Sequence, residues 1–311
     1  MADDRSRPRN RSSELPTKSD NRRQARERYV PGDEIGRGGM GRVFEAFDAS
    51  LERTVAVKEA LGTDWDAVSR FQREMTLTAE LEHPAIVAVY DRGRSSNGRP
   101  FYVMRRLSGR PLSSLVAERH TLVDRLALLP TFVSAVNAVA YAHSRRIIHR
   151  DLKPNNILVG EYGGVSVIDW GLAKRLDEPS SPEPAELSDK TTPGSVLGSP
   201  GYMSAEQARG LEVDERADVF ALGCCLYFLL SGVAPHGQGT AEQLLLRAEH
   251  PVPPLAEVMG GVPPPLLAIV DNSLAYHREN RFADAQVMAT ELQHFLASQL
   301  AAAYHHWLAG Q

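Results

Sequence analysis

Apolar positions change their rhythm about one third of the way along the chain. Before that point they come in short runs in which alternate residues face the same way; after it they recur at helical spacing. Thr54-Val55-Ala56-Val57-Lys58 is the clearest early run. Alternation sets Val55 and Val57 on one face, with Ala56 and Lys58 on the other. Residues 43–48, 86–91 and 101–104 read as further strands. One helix interrupts them over 65–81, with Phe71, Met75, Thr78 and Ala79 on its inward stripe. His83-Pro84 closes it, because the residue before a proline disfavours helical backbone. Glu80 and Glu82 read as solvated. Beyond residue 110 the pattern turns helical. A short helix is predicted over 112–117. A long one is predicted over 126–143, inside a helical run from 124 to 144, with Leu128, Leu129, Phe132, Val136, Val139 and Ala140 inward. Strand-like runs at 157–159 and 165–168 precede helices at 214–230, 240–249, 266–274 and 284–300. Residues 251–265, rich in proline, read as an irregular loop.

Composition narrows the class. The chain has 311 residues, enough for one large domain or two lobes. A formal net charge of −4 argues against a dedicated nucleic-acid binder. The two cysteines, Cys224 and Cys225, are adjacent inside an apolar run, so no disulfide framework or metal site is expected and a reducing cytoplasm is implied. No apolar run is read as long enough to span a bilayer, and the N-terminus lacks the apolar core of a signal peptide. Residues 1–28, rich in Arg, Ser, Asp and Asn, read as a disordered polar tail. His305 and His306 near the end lack a third ligand and read as no metal site.

Chemistry concentrates in three stretches. His149-Arg150-Asp151-Leu152-Lys153-Pro154-Asn155-Asn156 lies between a helix and a strand. It offers a carboxylate to accept a proton (Asp151), a charge for a phosphate (Lys153) and a hard oxygen ligand for a cation (Asn156). Ile35-Gly36-Arg37-Gly38-Gly39-Met40-Gly41-Arg42-Val43 lets backbone amides approach phosphate oxygens. It runs on into a strand rather than a helix, which argues against a dinucleotide-binding turn. Asp169 ends an apolar strand before Trp170 and Gly171.

The octet resembles the catalytic loop of the protein kinase superfamily, and with the other motifs in order the chain is similar to bacterial eukaryotic-like (Hanks-type) serine/threonine protein kinases. That resemblance implies a bilobal α+β fold across 29–296: a β-rich N-lobe with one main helix over about 29–104, a hinge at 105–109, a mainly helical C-lobe over 110–296, and a helical tail at 297–311. It implies ATP, with Mg²⁺ or alternatively Mn²⁺, bound between the lobes. The glycine-rich stretch would cover the phosphates. Lys58 would hold them, oriented by Glu74. Ala56, Met104, Leu107 and Leu158 would surround the adenine. Asn156 and Asp169 would ligate the metal, Asp151 would act as base, and Lys153 would offset charge on the γ-phosphoryl, as in Ser/Thr-specific members. Arg150 would face a phosphorylated activation segment, within which Thr191, Thr192 and Ser195 are candidate sites. Ser199 would bond Asp151 and Lys153, Glu206 would pair with Arg281, Asp218 would bond the backbone of the catalytic loop, and Trp170 would stack between His149 and the Glu74 helix. Protein substrates bearing Ser or Thr, the chain itself in trans, and an activating partner are the implied partners. Departures at Thr78, Arg105-Arg106, Trp170 and Ala205 leave open a pseudokinase scaffold, and a small-molecule phosphotransferase is the other rival.

Overall fold

The computed structural model describes residues 28–177 and 198–309. It divides into two compact units, one made of the described chain up to Val68 together with Tyr90–Arg106, the other of Ser69–Val89 with the described residues from Leu107 onward.

The first unit is a five-stranded sheet in the order β1-β2-β3-β5-β4. Its strands are β1 (Tyr29–Arg37), β2 (Gly41–Asp48), β3 (Arg53–Ala60), β4 (Val89–Arg94) and β5 (Pro100–Arg105). Cross-strand register fixes the faces. Val43 lies opposite Lys58, and Ala56 lies opposite both Glu45 and Met104. These residues share one side of the sheet. Ala46, Val55, Val57, Phe101 and Val103 share the other and pack with Tyr29 as a small core. Val55 and Val57 are therefore inward, as their alternation predicts. One end of that core carries a buried carboxylate. Asp48 takes Arg28 Nε at 2.9 Å and Nη2 at 3.0 Å, and the Ser50 hydroxyl at 2.7 Å. Arg28 thus belongs to the folded part rather than to the tail.

Helix α1 (Trp65–Glu80) starts in the first unit and ends in the second. Its buried side chains are Phe71, Glu74, Met75, Leu77 and Thr78. Ala79 is exposed, contrary to expectation, because the buried stripe leans toward the Leu77 and Leu81 edge. Strand β4 begins at Val89 rather than Ile86. Residues 85 and 86 are instead taken up by the second unit, where Val167 N–H donates to Ala85 O at 2.8 Å and Ile86 bridges Val167.

The second unit contains β6 (Arg110–Pro111), β7 (Ile147–Ile148), β8 (Ile157–Val159), β9 (Val165–Val167) and β10 (Lys174–Arg175). Its helices are α2 (Leu112–Ala117), α3 (Leu122–Leu126), α4 (Leu129–Ser144), α5 (Ala205–Ala208), α6 (Glu215–Ser231), α7 (Ala241–Ala248), α8 (Leu255–Val258), α9 (Pro264–Ser273) and α10 (Ala285–Ala309). The single helix predicted from 126 is broken at Ala127-Leu128, and Pro130, which has no N–H to give, sits in the first turn of α4. The loop predicted at 251–265 contains the one-turn helix α8. Helix α6 is apolar on every side and buried along nearly its whole length, as a helix through the centre of a large core must be. Helices α4, α6, α9 and α10 share that core with Trp170 and Leu152. Leu122–Ser144 has the length and hydropathy of a membrane span, contrary to the expectation that no run would qualify. Its apolar residues Leu129, Phe132, Val133, Val136 and Val139 lie in the core. The helix predicted at 284–300 and the helical tail predicted at 297–311 form one continuous helix, α10, with no helix breaker before Gly310.

Candidate active site

The octet 149–156 is held from beneath by one side chain. Asp218 on α6 is fully buried, and its Oδ2 accepts His149 N–H at 2.7 Å while its Oδ1 accepts Arg150 N–H at 2.9 Å. His143 Nε2 reaches Oδ2 at 3.0 Å, and His143 Nδ1 accepts Ala285 N–H at 3.2 Å. Because Nδ1 accepts, Nε2 carries the ring proton and donates it to Asp218. Burial pushes the Asp218 carboxyl up, but the His143 bond, the neighbouring imidazoles and the His149 amide outweigh it and leave the group below its ordinary value. Asp218 thus bonds the loop backbone as the resemblance implies. The His149 and Trp170 rings meet at a tilt of 53°, 4.6 Å between centroids, and Trp170 Nε1 donates to Val167 O.

Above this clamp the polar side chains converge. Lys153 Nζ lies 2.8 Å from Asp151 Oδ2 and 2.7 Å from Ser199 Oγ. Asn156 Nδ2 donates to Asp151 O at 2.9 Å and approaches Oδ2 at 3.4 Å. Asp151 Oδ1 is different: it is buried and makes no hydrogen bond among the described residues. The chain passes close by at Gly198, whose φ is +118° and where a Cβ would lie 2.9 Å from Met203 Cε and 3.3 Å from Arg150 O. Only glycine suits that approach.

A cation fits the oxygens nearby. Asn156 spends its amide nitrogen on Asp151, so the carbonyl oxygen is the atom it would offer a cation. Ile168 N–H donates to Asn156 O at 2.9 Å, and Ile157 pairs with Val167, so strands β8 and β9 bring Asp169 beside Asn156. Asp169 is exposed and held at φ 66°, ψ 63°. A carboxylate and an amide carbonyl form a hard donor set suited to Mg²⁺ or Mn²⁺.

In the first unit, the β1–β2 turn closes with Gly38 N–H on Gly41 O at 2.9 Å. A Cβ on Gly41 would come within 2.9 Å of Glu59 O and 3.4 Å of the Lys58 stem, so the missing side chain is what admits the lysine. Val43, Ala56, Lys58 and Met104 occupy one face by register. Gly39 and Met40 lie in the turn, Gly36 pairs with Val43 near the end of β1, and Ile35 is exposed beside it. Arg37 pairs with Glu34, and Arg42 with the buried Glu59 at 2.8 Å. In the second unit Glu74 is buried on α1, its carbonyl bonded by the Thr78 hydroxyl at 2.8 Å. Leu107 and Leu158 are half-buried.

Residues 29–295 match the protein kinase domain family. The chain belongs to that family. It is 34% identical to the serine/threonine-protein kinase PknD of Protochlamydia amoebophila, with 84% of this chain and 29% of that protein covered. It is 37% identical to the serine/threonine-protein kinase PknB of Mycolicibacterium smegmatis, with 86% of this chain and 42% of that protein covered. The chain therefore spans less than half the length of these relatives. The bilobal α+β class follows from the family, and with it ATP and a divalent cation.

The segment leaving the kinase site is tied down at both described ends. Lys174 and Arg175 pair with β7, Leu176 N–H donates to Arg146 O, and Arg150 Nε donates to Leu172 O at 2.6 Å. Arg175 also ion-pairs with Glu80, which the sequence reading left solvated. Thr191, Thr192 and Ser195 lie outside the described residues. At the far end Glu206 takes Arg281 Nη1 at 2.6 Å and Nη2 at 3.1 Å, both residues buried. Sequence reasoning missed His143 and Gln207. The only available signal for His143 was a polar residue on the buried stripe of α4.

Proposed function

We propose that this kinase domain transfers the γ-phosphoryl group of ATP to serine and threonine hydroxyls of proteins, its own activation segment in trans among them. The observation that carries this reading is Asp151 Oδ1, a buried acceptor with no hydrogen bond among the described residues. The substrate hydroxyl oxygen attacks the γ-phosphorus, its proton passes to Asp151 Oδ1, and the bond from that phosphorus to the β–γ bridging oxygen breaks to release ADP. Lys153, fixed between Asp151 and Ser199, offsets charge on the transferring oxygens. Its place two residues after Asp151 is the mark of the Ser/Thr-specific members that the chain resembles. Mg²⁺, with Mn²⁺ as the alternative, would be held by Asp169 and Asn156 and would neutralise phosphate charge. Lys58, with its stem packed against Gly41, contributes the phosphate-binding cation of the sheet. We assign the catalytic unit to the cytoplasm, where its two buried thiols and its ATP would both be at home.

The test is incubation of wild type and Asp151→Asn with Mg²⁺ and γ-labelled ATP, followed by phosphosite mapping. Wild type should label Ser or Thr between Leu172 and Met203, and the variant should lose about 10²–10⁴-fold in turnover, the usual worth of a positioned base. Equal turnover in the two proteins would refute the role of Asp151. Label in neither, with ATP binding intact, would move the reading to a pseudokinase.

A further inference from the structure

Arg150 precedes the proposed base and holds an unusual backbone. Its φ is +66°, a conformation that side-chain-bearing residues adopt at a cost. Such a residue persists only where its surroundings hold it, so its two peptide groups need fixed partners. The N–H has one in Asp218 Oδ1. The carbonyl has another: Gln207 Nε2 donates to Arg150 O at 2.9 Å, across 57 positions of sequence.

The orientation of the Gln207 amide follows from its neighbours. Arg150 O can only accept, so it faces the NH₂ group. Ser204 N–H can only donate, and lies 3.4 Å from Oε1, with Ser204 Oγ at 3.2 Å. One side chain therefore does two things. Its oxygen helps close the first turn of α5, next to the Glu206–Arg281 pair, and its nitrogen fixes the peptide that leads into Asp151.

We propose that Gln207 is a positioning residue for phosphoryl transfer. It locks the Arg150–Asp151 peptide in the orientation that presents Asp151 Oδ1, and so couples the end of the activation segment to the base. This rests on the function proposed above. Two substitutions separate the two ends of the amide. Gln207→Glu keeps an oxygen for Ser204 but replaces the donor with an acceptor that repels Arg150 O. Gln207→Met keeps the length and removes both.

The experiment measures amide hydrogen exchange over residues 148–153 and steady-state kinetics, on wild type and both variants brought to the same phosphorylation state. Exchange in that stretch should speed up roughly five- to tenfold in both variants, the size of one hydrogen bond. kcat should fall roughly tenfold or more in both, with KM for ATP within about twofold, because the bond acts on orientation and not on nucleotide binding. The exchange readout does not depend on turnover, so an inactive wild type refutes the kinase reading while the coupling is still judged. Unchanged exchange in Gln207→Glu overturns the proposal. So does loss of kcat in Gln207→Met alone, which would leave Gln207 as a helix cap only.

Discussion

The Glu206–Arg281 pair makes a quantitative demand. Arg281 has five N–H donors, and all five are used. Nη1 bonds Glu206 Oε1 and Arg216 O, Nη2 bonds Glu206 Oε2 and Tyr276 O, and Nε bonds Ala275 O. The guanidinium also lies 4.8 Å from the Phe220 ring centre. Arg281→Met keeps most of the volume but strands the buried Glu206 carboxylate. Breaking a buried pair in this way costs about 3–5 kcal/mol. At about 2–4 °C per kcal/mol for a domain near this size, Tm should fall by roughly 6–20 °C, toward the lower bound because the unit is large. The double variant Glu206→Leu/Arg281→Met removes the stranded charge and should recover part of the loss. Recovery stays partial because the carbonyls of Arg216, Ala275 and Tyr276 still lose their donor. Differential scanning calorimetry at neutral pH reads both. A single-variant drop below about 2 °C would refute the reasoning, since it would mean that the pair carries less than one ordinary buried hydrogen bond. A double variant that melts below the single one would refute the claim that the stranded charge is the cause.

Two further outcomes follow from the site. Asp218 is held below its ordinary value of 3.8, so its ionised form stabilises the fold fully above that pH, and the contribution is lost as pH falls through the depressed value. The Tm gap between wild type and Asp218→Asn should therefore narrow as pH is lowered from 6 toward 3, and a constant gap would contradict the linkage. Gly41→Ala should lower Tm and weaken ATP binding, because overpacking against Glu59 O and the Lys58 stem costs about 1–3 kcal/mol. Gly39→Ala, where nothing lies within 4 Å of the added carbon, should leave Tm unchanged; equal effects at the two glycines would show that the steric argument is wrong.

What could be read from the sequence was mostly what is contiguous. The octet, the glycine-rich stretch and the Val55/Val57 alternation each announce themselves within ten residues, and the first two carry the family resemblance. Pairings such as Glu206–Arg281 were reachable only through that resemblance, because 75 positions separate the partners. Gln207 and His143 stayed hidden for a different reason. Their partners include backbone groups (Arg150 O and Ala285 N–H), which have no residue type to betray them. Ile86 misled because an apolar residue before a strand looks the same whether it joins that strand or bridges to Val167, as it does. Arg28 looked like the last of a run of tail arginines, and its bonds to the distant Asp48 and Asp91 are what distinguish it.

The bond from Ala285 to His143 also has a consequence in time. A protein is made from its N-terminus, and its domains assemble as their residues emerge. When Asp169 leaves the ribosome, the nascent chain already holds Lys58, Asp151, Lys153, Asn156 and Asp169, the groups that would meet the phosphates, the hydroxyl and the cation. It holds none of the clamps: Gln207 and Asp218 are still to come, and Ala285 follows His143 by 142 positions. The strained peptide at Arg150 has nothing to keep it in place until then. The chemistry is thus laid down early and its geometry late, and the peptide that presents Asp151 gains its full set of clamps only when the helix that begins at Ala285 is free to dock.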